Sequence, residues 1–372
     1  PPPPDIMNPK YKKIYCCTPV AFHANDGFWI RDTGLISRTL QQMGVDSKCI
    51  MPLPYYDDDQ KEGLIRTEYK NLKSVDWWKS LGIDALVLYS WGAPKYLPIA
   101  RAVRKAGITL MIHMDMSANL HNWRNGTIRG YLKDFRINLM RSWHLNYANI
   151  ISGSLELIEA LANSKFYGNG IASKCTNFPT PVSPHFTFST TPKSYKVTCI
   201  GRWSDKNEDQ VKRPEFCIRT AQELVKLDPS VIVEIYGRTG NTIESIYEST
   251  EIGKDRIILK GFANNKDLPA IYQSSLINYC SSANEGTHIV SAEALCCGCS
   301  IVTPPRKQLR TLHWYASKNS GRIATEDTPE AMAKALAAEL TAWKTGARSA
   351  QHIAEAWQNI FHVDKVFNKI FQ

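Results

Sequence analysis

Short apolar runs of strand length alternate with amphipathic stretches of helix length along almost the whole chain, in two successive series. No other feature constrains the fold so tightly, because strands separated by helix-length crossovers pair in parallel, whereas hairpins need turns of only a few residues. The first series predicts strands over Lys13–Pro19, Ser47–Met51, Ala85–Tyr89, Ile108–His113 and Asn149–Ser152, with helices over Thr33–Met43, Pro94–Lys105 and Arg129–Tyr147. The second predicts strands over Tyr195–Gly201, Val231–Gly237, Arg256–Lys260, Leu276–Tyr279, Ser300–Thr303 and Gly321–Ala324. Its helices fall over Pro214–Leu227, Leu268–Ser274, Ile289–Cys297, Pro329–Trp343 and Ala347–Ile370. Between the series, Ser173–Lys193 carries Pro179, Pro181, Pro184 and Pro192 among many Ser and Thr, which is linker chemistry. Two α/β domains with parallel sheets are expected, at 10–180 and 181–350, with 351–372 as a C-terminal helix. A ligand is expected in a cleft between the carboxyl ends of the two sheets, where strand-to-helix loops converge.

Composition narrows the class further. The 372 residues are 43% hydrophobic and 22% charged, as in an ordinary globular chain. The best apolar runs, Ile83–Tyr89 and Ile108–Met114, are far shorter than a spanning helix requires. The Pro1–Pro4 opening has no basic start followed by an apolar stretch, so a secretory leader is not expected. Ten cysteines are too sparse for a disulfide framework, and the adjacent Cys16–Cys17 and Cys296–Cys297 could pair only with strain, which points to a reducing, cytoplasmic setting. The net charge of +10 is uneven: residues 1–187 carry 22 Lys and Arg against 15 Asp and Glu. That bias admits nucleic acid, an anionic membrane surface or anionic small molecules as partners without choosing among them.

The densest chemical signal is the run 285–302, EGTHIVSAEALCCGCSIV, read as loop, helix, turn and strand. Glu285 lies just before the helix and Glu293 inside it, so the backbone N–H groups of Gly286, Thr287, His288, Ile289 and Val290 emerge between two carboxylates at the positive end of the helix dipole. Such a place suits a phosphorylated sugar: N–H donors for phosphate oxygens and carboxylates for sugar hydroxyls. An isolated pair would more often be solvated helix acids, but Glu293 stands among Ile289, Val290, Ala292, Ala294 and Leu295, where an idle charge would be costly. Arg202, just past an apolar strand, and Lys212 are sensible diphosphate ligands, a planar fork and a mobile point charge.

With these residues the chain resembles the retaining, GT-B-fold glycosyltransferases of family 4. Their E-x7-E signature is matched by Glu285 and Glu293, with Gly286, Ala294, Leu295, Gly298, Ile301 and Val302 also in pattern. Upstream, Val197–Arg202 resembles the family's strand ending in Gly-Arg, and Lys212–Ala221 its lysine-led helix start. The resemblance implies two Rossmann-like domains, a C-terminal helix crossing back to the first, and a hexosyltransferase-type enzyme. This enzyme would move a sugar from a nucleotide-diphosphate donor, most simply a UDP- or GDP-sugar, to a glycan or small-molecule hydroxyl. It further implies that Arg202 and Lys212 hold the pyrophosphate, that Phe262 approaches the base, and that Glu285 and His113 serve the reaction centre. No cofactor or metal is required by that scheme.

The first domain matches more loosely, through Ile108–Asp115 and through Gly27 and Gly34 in a loop where members carry a phosphate-approaching glycine turn. There are departures: no adjacent glycine pair, His288 where many members have Gly or Pro, and extra residues 205–211 that make Lys206 a competitor of Lys212. A nucleotide-sugar epimerase, a phosphorylase-like enzyme and a non-catalytic binding subunit share the fold. No nucleic-acid module is legible, and no strand leads into G-x-G-x-x-G, which disfavours a dehydrogenase. Cys296–Cys299 is expected to be core rather than a metal site, and Asp57–Asp59 a loop charge run. Finally, helix Arg129–Tyr147 aligns Leu132, Phe135, Leu139 and Trp143 on one stripe. That stripe is expected to pack on its own sheet, with peripheral contact with an anionic membrane as its other use.

Overall fold

The computed structural model describes residues 11–370 apart from 24–26, 57–60, 92–93, 115, 117–126, 204–210, 239–240 and 251. Lys206, Asp57–Asp59 and Asp115 lie outside the described residues. The chain forms two compact units, Pro1–Ser183 with Ile360–Gln372, and Pro184–Asn359.

Unit 1 holds a seven-stranded sheet of β1 (Ile14–Cys17), β2 (Cys49–Pro52), β3 (Leu64–Thr67), β4 (Ala85–Ser90), β5 (Thr109–Met114), β6 (Ile150–Gly153) and β7 (Cys175–Asn177). All neighbours pair in parallel, in the order β3-β2-β1-β4-β5-β6-β7. Unit 2 holds β8 (Lys196–Ile200), β9 (Ile232–Tyr236), β10 (Ile257–Gly261), β11 (Ile277–Tyr279), β12 (Ser300–Thr303) and β13 (Gly321–Ile323), also parallel, in the order β10-β9-β8-β11-β12-β13. Each order reverses once, beside β1 in one unit and β8 in the other, and such reversals open a crevice at the strands' carboxyl ends. The central strands are buried on both faces, as Ala85–Ser90 is throughout, which is why they read as continuous apolar runs.

Several helices begin where the side chain of a Ser or Thr accepts an orphan amide: Ser154 from Leu157, Thr127 from Gly130, and Thr328 from Ala331 with Pro329 in the first turn. The expected single C-terminal helix is two, Ala350–Phe361 and Val363–Ile370. The break falls where Val182 donates its amide to the Phe361 carbonyl at 3.0 Å. Past it, Val363, Val366 and Phe367 pack on Leu35, Ile36 and Leu40, so the last helix belongs to unit 1. Two strands went unforeseen, β3 and β7, because both are short, incompletely buried edge strands and β7 sits inside the proline-rich segment.

Helix Ile128–Asn146 overturns one expectation. Its apolar stripe does not pack on the sheet: Leu132, Phe135 and Trp143 are more than half exposed, and the buried side carries Asn138, Arg141, His144 and Leu145. The polar residues face in because they find partners there. Asn138 Oδ1 accepts from Arg141 at 3.0 Å and from the Tyr167 hydroxyl at 2.6 Å, and His144 Nε2 meets Ser90 Oγ at 2.9 Å. All ten cysteines are free thiols, nine of them buried. Among the described residues no helix is long and apolar enough to cross a membrane.

Candidate functional site

In unit 2 the loops that follow β8 and β11 leave neighbouring strands at the reversal of strand order, and Arg202, Lys212, Glu285, Gly286, Thr287 and His288 follow these two strands. Arg202 follows β8 and is exposed. Its turn is tied down by its neighbours: the Trp203 amide donates to the Arg238 carbonyl and its indole N–H to the Tyr236 carbonyl, both at 3.0 Å. The turn needs glycine at Gly237, whose φ is +137° and where a Cβ would stand 1.7 Å from the Gly201 carbonyl oxygen.

Lys212 and Glu285, 73 residues apart in sequence, meet as an ion pair, Nζ to Oε1 at 2.5 Å, with only 22% and 13% of their side chains exposed. A lattice of hydrogen bonds fixes this approach. Ser281 Oγ donates to the Lys212 carbonyl, the Ala283 amide to the Val211 carbonyl, and Arg213 Nε to the Ser281 carbonyl, at 2.7, 2.7 and 2.6 Å. Arg213, left-handed at φ +53°, also grips Asp327, which Arg306 holds from its other oxygen. Sequence reasoning missed Arg213, Arg306 and Asp327, because partners 114 and 21 residues apart on separate elements leave no local signal.

The helix Ile289–Cys296 starts directly after His288, which is itself left-handed at φ +45° and whose Nδ1 meets Ser291 Oγ at 2.8 Å. Tyr315 anchors the same turn by donating to the Thr287 carbonyl at 2.7 Å. Gly286, Ile289 and Val290 are half-buried at this helix start, with nothing within 4 Å of where a Gly286 Cβ would stand. Glu293 is 1% exposed, on the turn after Ile289–Val290. Burial pushes the Glu285 carboxyl up, but the His288 ring and the Lys212 ammonium outweigh it and hold the group below the usual carboxylate value. Burial pushes His288 down to about 4, so its ring is neutral at pH 7. The structure thus brings Lys212, Glu285, His288 and the helix start together on one loop system. Phe262 stands apart at the end of β10, exposed, with the Arg238 guanidinium 5.4 Å from its ring.

Unit 1 presents a different chemistry. His113, on β5, is wholly buried, its Nδ1 2.9 Å from Ser152 Oγ on β6 and its ring 4.5 Å from that of Tyr89 on β4. Among the described residues its Nε2 has no hydrogen-bond partner. Burial lowers its pKa to about 3 and that of His144 to about 4, so both are uncharged. The expected glycine loop is largely helix. Gly27 opens the short helix Gly27–Ile30, and Gly34 lies buried within the helix Asp32–Gln42. There a Cβ would stand 2.2 Å from the Trp29 carbonyl oxygen, so glycine at 34 lets the two helices pack closely.

Residues 194–341 match the family model described as Glycosyl transferases group 1, which covers most of unit 2 and the whole cluster above. No curated protein sequence matches the chain significantly. Among solved structures, the lipopolysaccharide outer core galactosyltransferase WaaB is similar over 96% of this chain and 99% of its own, at 14% identity and a TM-score of 0.67. HepE of Anabaena, solved with UDP and glucose, is similar over 97% and 98% at 14% identity and a TM-score of 0.61. A third neighbour is the putative UDP-N-acetylglucosamine 2-epimerase of Listeria monocytogenes, at 12% identity over 96% and 94% and a TM-score of 0.61. Because transferases and an epimerase align equally along their length, this likeness carries the fold alone. The chain has a GT-B fold, and residues 194–341 of its second unit are similar to the glycosyl transferases of group 1.

Proposed function

We propose that the protein is a retaining glycosyltransferase that moves a hexose from a nucleoside-diphosphate sugar to an acceptor hydroxyl. The observation that carries this reading is the Lys212–Glu285 pair at the start of the helix that buries Glu293, inside the matched domain. Cation, amide donors and carboxylates converge there as a sugar diphosphate requires, and fold likeness could not have supplied that. HepE, which shares the fold, was solved with UDP and glucose, and a UDP-sugar is accordingly our first choice of donor, a GDP-sugar the second.

In the mechanism the bond between the anomeric carbon and the diphosphate oxygen breaks while the acceptor oxygen bonds to the same face. The acceptor's proton passes to the departing phosphate. Arg202, Lys212 and the amides of 286–290 neutralise the charge that develops on the leaving group, Glu285 holds sugar hydroxyls and Glu293 the ribose. The scheme needs no group beyond the donor. For His113 the resemblance implies a place at the reacting centre, where, buried and neutral, it can act only as an uncharged hydrogen-bond partner through Nε2.

The test is a thermal-shift panel with UDP, GDP, ADP and dTDP and their sugar conjugates on wild type, Glu293→Ala and Arg202→Ala. Stabilisation by one nucleotide family, lost in both variants, supports the reading by linkage. If no nucleotide shifts the wild-type protein, the reading fails. With the donor known, proton NMR of the product settles the anomeric outcome.

A further inference from the structure

The inward turn of the polar face of helix Ile128–Asn146 leaves an apolar face uncovered. At 100° per residue, Ile128, Leu132, Phe135, Leu139 and Trp143 share an arc of about 60–80°. Of these Ile128 is 81% exposed, Leu132 65%, Phe135 53% and Trp143 51%. Phe166 extends the patch, its ring edge-on to Phe135 at 6.0 Å. Arg129, Lys133 and Arg136, all exposed, border it on one flank. A groove of about 530 Å³ adjoins its far end, between this helix and the helix Leu97–Lys105. Lys73, Arg101 and Lys105 line it beside Leu97, Trp143 and Tyr147, and no carboxylate does. Trp143 belongs to both face and groove, so the two form one continuous surface. With Arg141 turned inward, the two helices carry six other Lys and Arg against Asp134 alone.

We propose that unit 1 docks on an anionic lipid bilayer through this surface. Ile128, Leu132 and Phe135 enter the acyl boundary, Trp143 lies at headgroup depth, and Lys73, Arg101 and Lys105 close on a headgroup phosphate. Charge complementarity selects this occupant. A second copy of the chain meeting this face about a twofold would set its cations against themselves. A nucleic acid would leave Ile128 and Leu132 facing phosphates.

The full chain is tested by cosedimentation with vesicles of phosphatidylcholine, with and without phosphatidylglycerol. The protein pellets with the anionic vesicles and not with the neutral ones, and added salt releases it. At about fivefold per surface cation, Arg101→Ala with Lys105→Ala weakens partitioning roughly twentyfold. Leu132→Ser with Phe135→Ser weakens it at least about tenfold. All four positions lie in unit 1, and an unchanged melting temperature and circular dichroism spectrum without added ligand show that the variants fold. Equal binding to neutral vesicles, or none to either, overturns the proposal. So does complete release by excess glycerol phosphate, which would make the groove a site for a free anion. Self-association that Phe135→Ser abolishes would assign the face to a second copy instead. None of these outcomes depends on the donor reading.

Discussion

The two units share a parallel, once-reversed strand order, yet they place their charge oppositely. Unit 2 concentrates it at the carboxyl edge of its sheet, in the Lys212–Glu285 pair and the Arg213–Asp327–Arg306 bridge. Unit 1 sets uncharged His–Ser pairs between β5 and β6 and between β4 and helix Ile128–Asn146, and carries its cations on the outer helices instead. The difference shows that topology fixes where a crevice opens, while the loops decide what it can bind. A charged edge can neutralise a diphosphate. A neutral, buried one suits a group that must not compete with it.

The contrast is sharpest in activity. In the proposed mechanism Lys212→Ala or Arg202→Ala removes a charged partner of the leaving group and should lower kcat about 10²–10³-fold. His113→Asn replaces one neutral hydrogen bond and should cost only about tenfold. Steady-state kinetics with the identified donor checks both, and an equal loss in His113→Asn would end the distinction between a charged and a neutral edge.

Acid should separate the units next. His113 and His144 in unit 1 and His288 in unit 2 keep unprotonated rings in the fold down to about 3, 4 and 4, whereas an unfolded histidine binds its proton near 6.5. Between those values the unfolded chain holds more protons, so the stabilisation is complete above about pH 6.5 and drains away as pH falls. Each histidine contributes about 1.4 kcal/mol per pH unit in that window. Urea unfolding at pH 7.5, 6 and 5 should therefore weaken unit 1 as its two buried rings take up protons, and His144→Gln should flatten that slope by about half, while in unit 2 His185, also held below its usual value by burial, adds to His288. An unchanged unit 1 slope in His144→Gln would mean that the His144 ring is charged in the fold.

Unit 2 was legible because its chemistry is local. Glu285, Gly286 and Glu293 lie within one loop and one helix, and Gly201-Arg202 ends an apolar strand, so spacing alone puts them at strand ends. What escaped is what depends on distance or on sidedness. Asp327 reaches Arg213 across 114 positions. Ser152 became a partner of His113 only through the register of β5 on β6, which sets the two residues side by side. Periodicity found the stripe on helix Ile128–Asn146 but not its direction, because a helix of period 3.6 has two faces and only partners such as Tyr167 and Ser90 decide which one turns in.

That inversion supplies the smallest effects, and they are opposite to what amphipathicity alone would give. Arg141→Ala strips the buried Asn138 and Tyr167 of a charged neighbour and should destabilise unit 1 by about 1–3 kcal/mol. Leu132→Ala, on the exposed stripe, should change stability by no more than about 0.5 kcal/mol. The sign of the difference matters more than its size. Were the helix packed in the ordinary way, the leucine would be the costly loss and the arginine the cheap one, since truncating a buried leucine typically costs about 2–5 kcal/mol. Urea midpoints of the two variants, measured above pH 7 so that the histidines stay silent, therefore report which face of the helix the protein keeps to itself and which it offers outward.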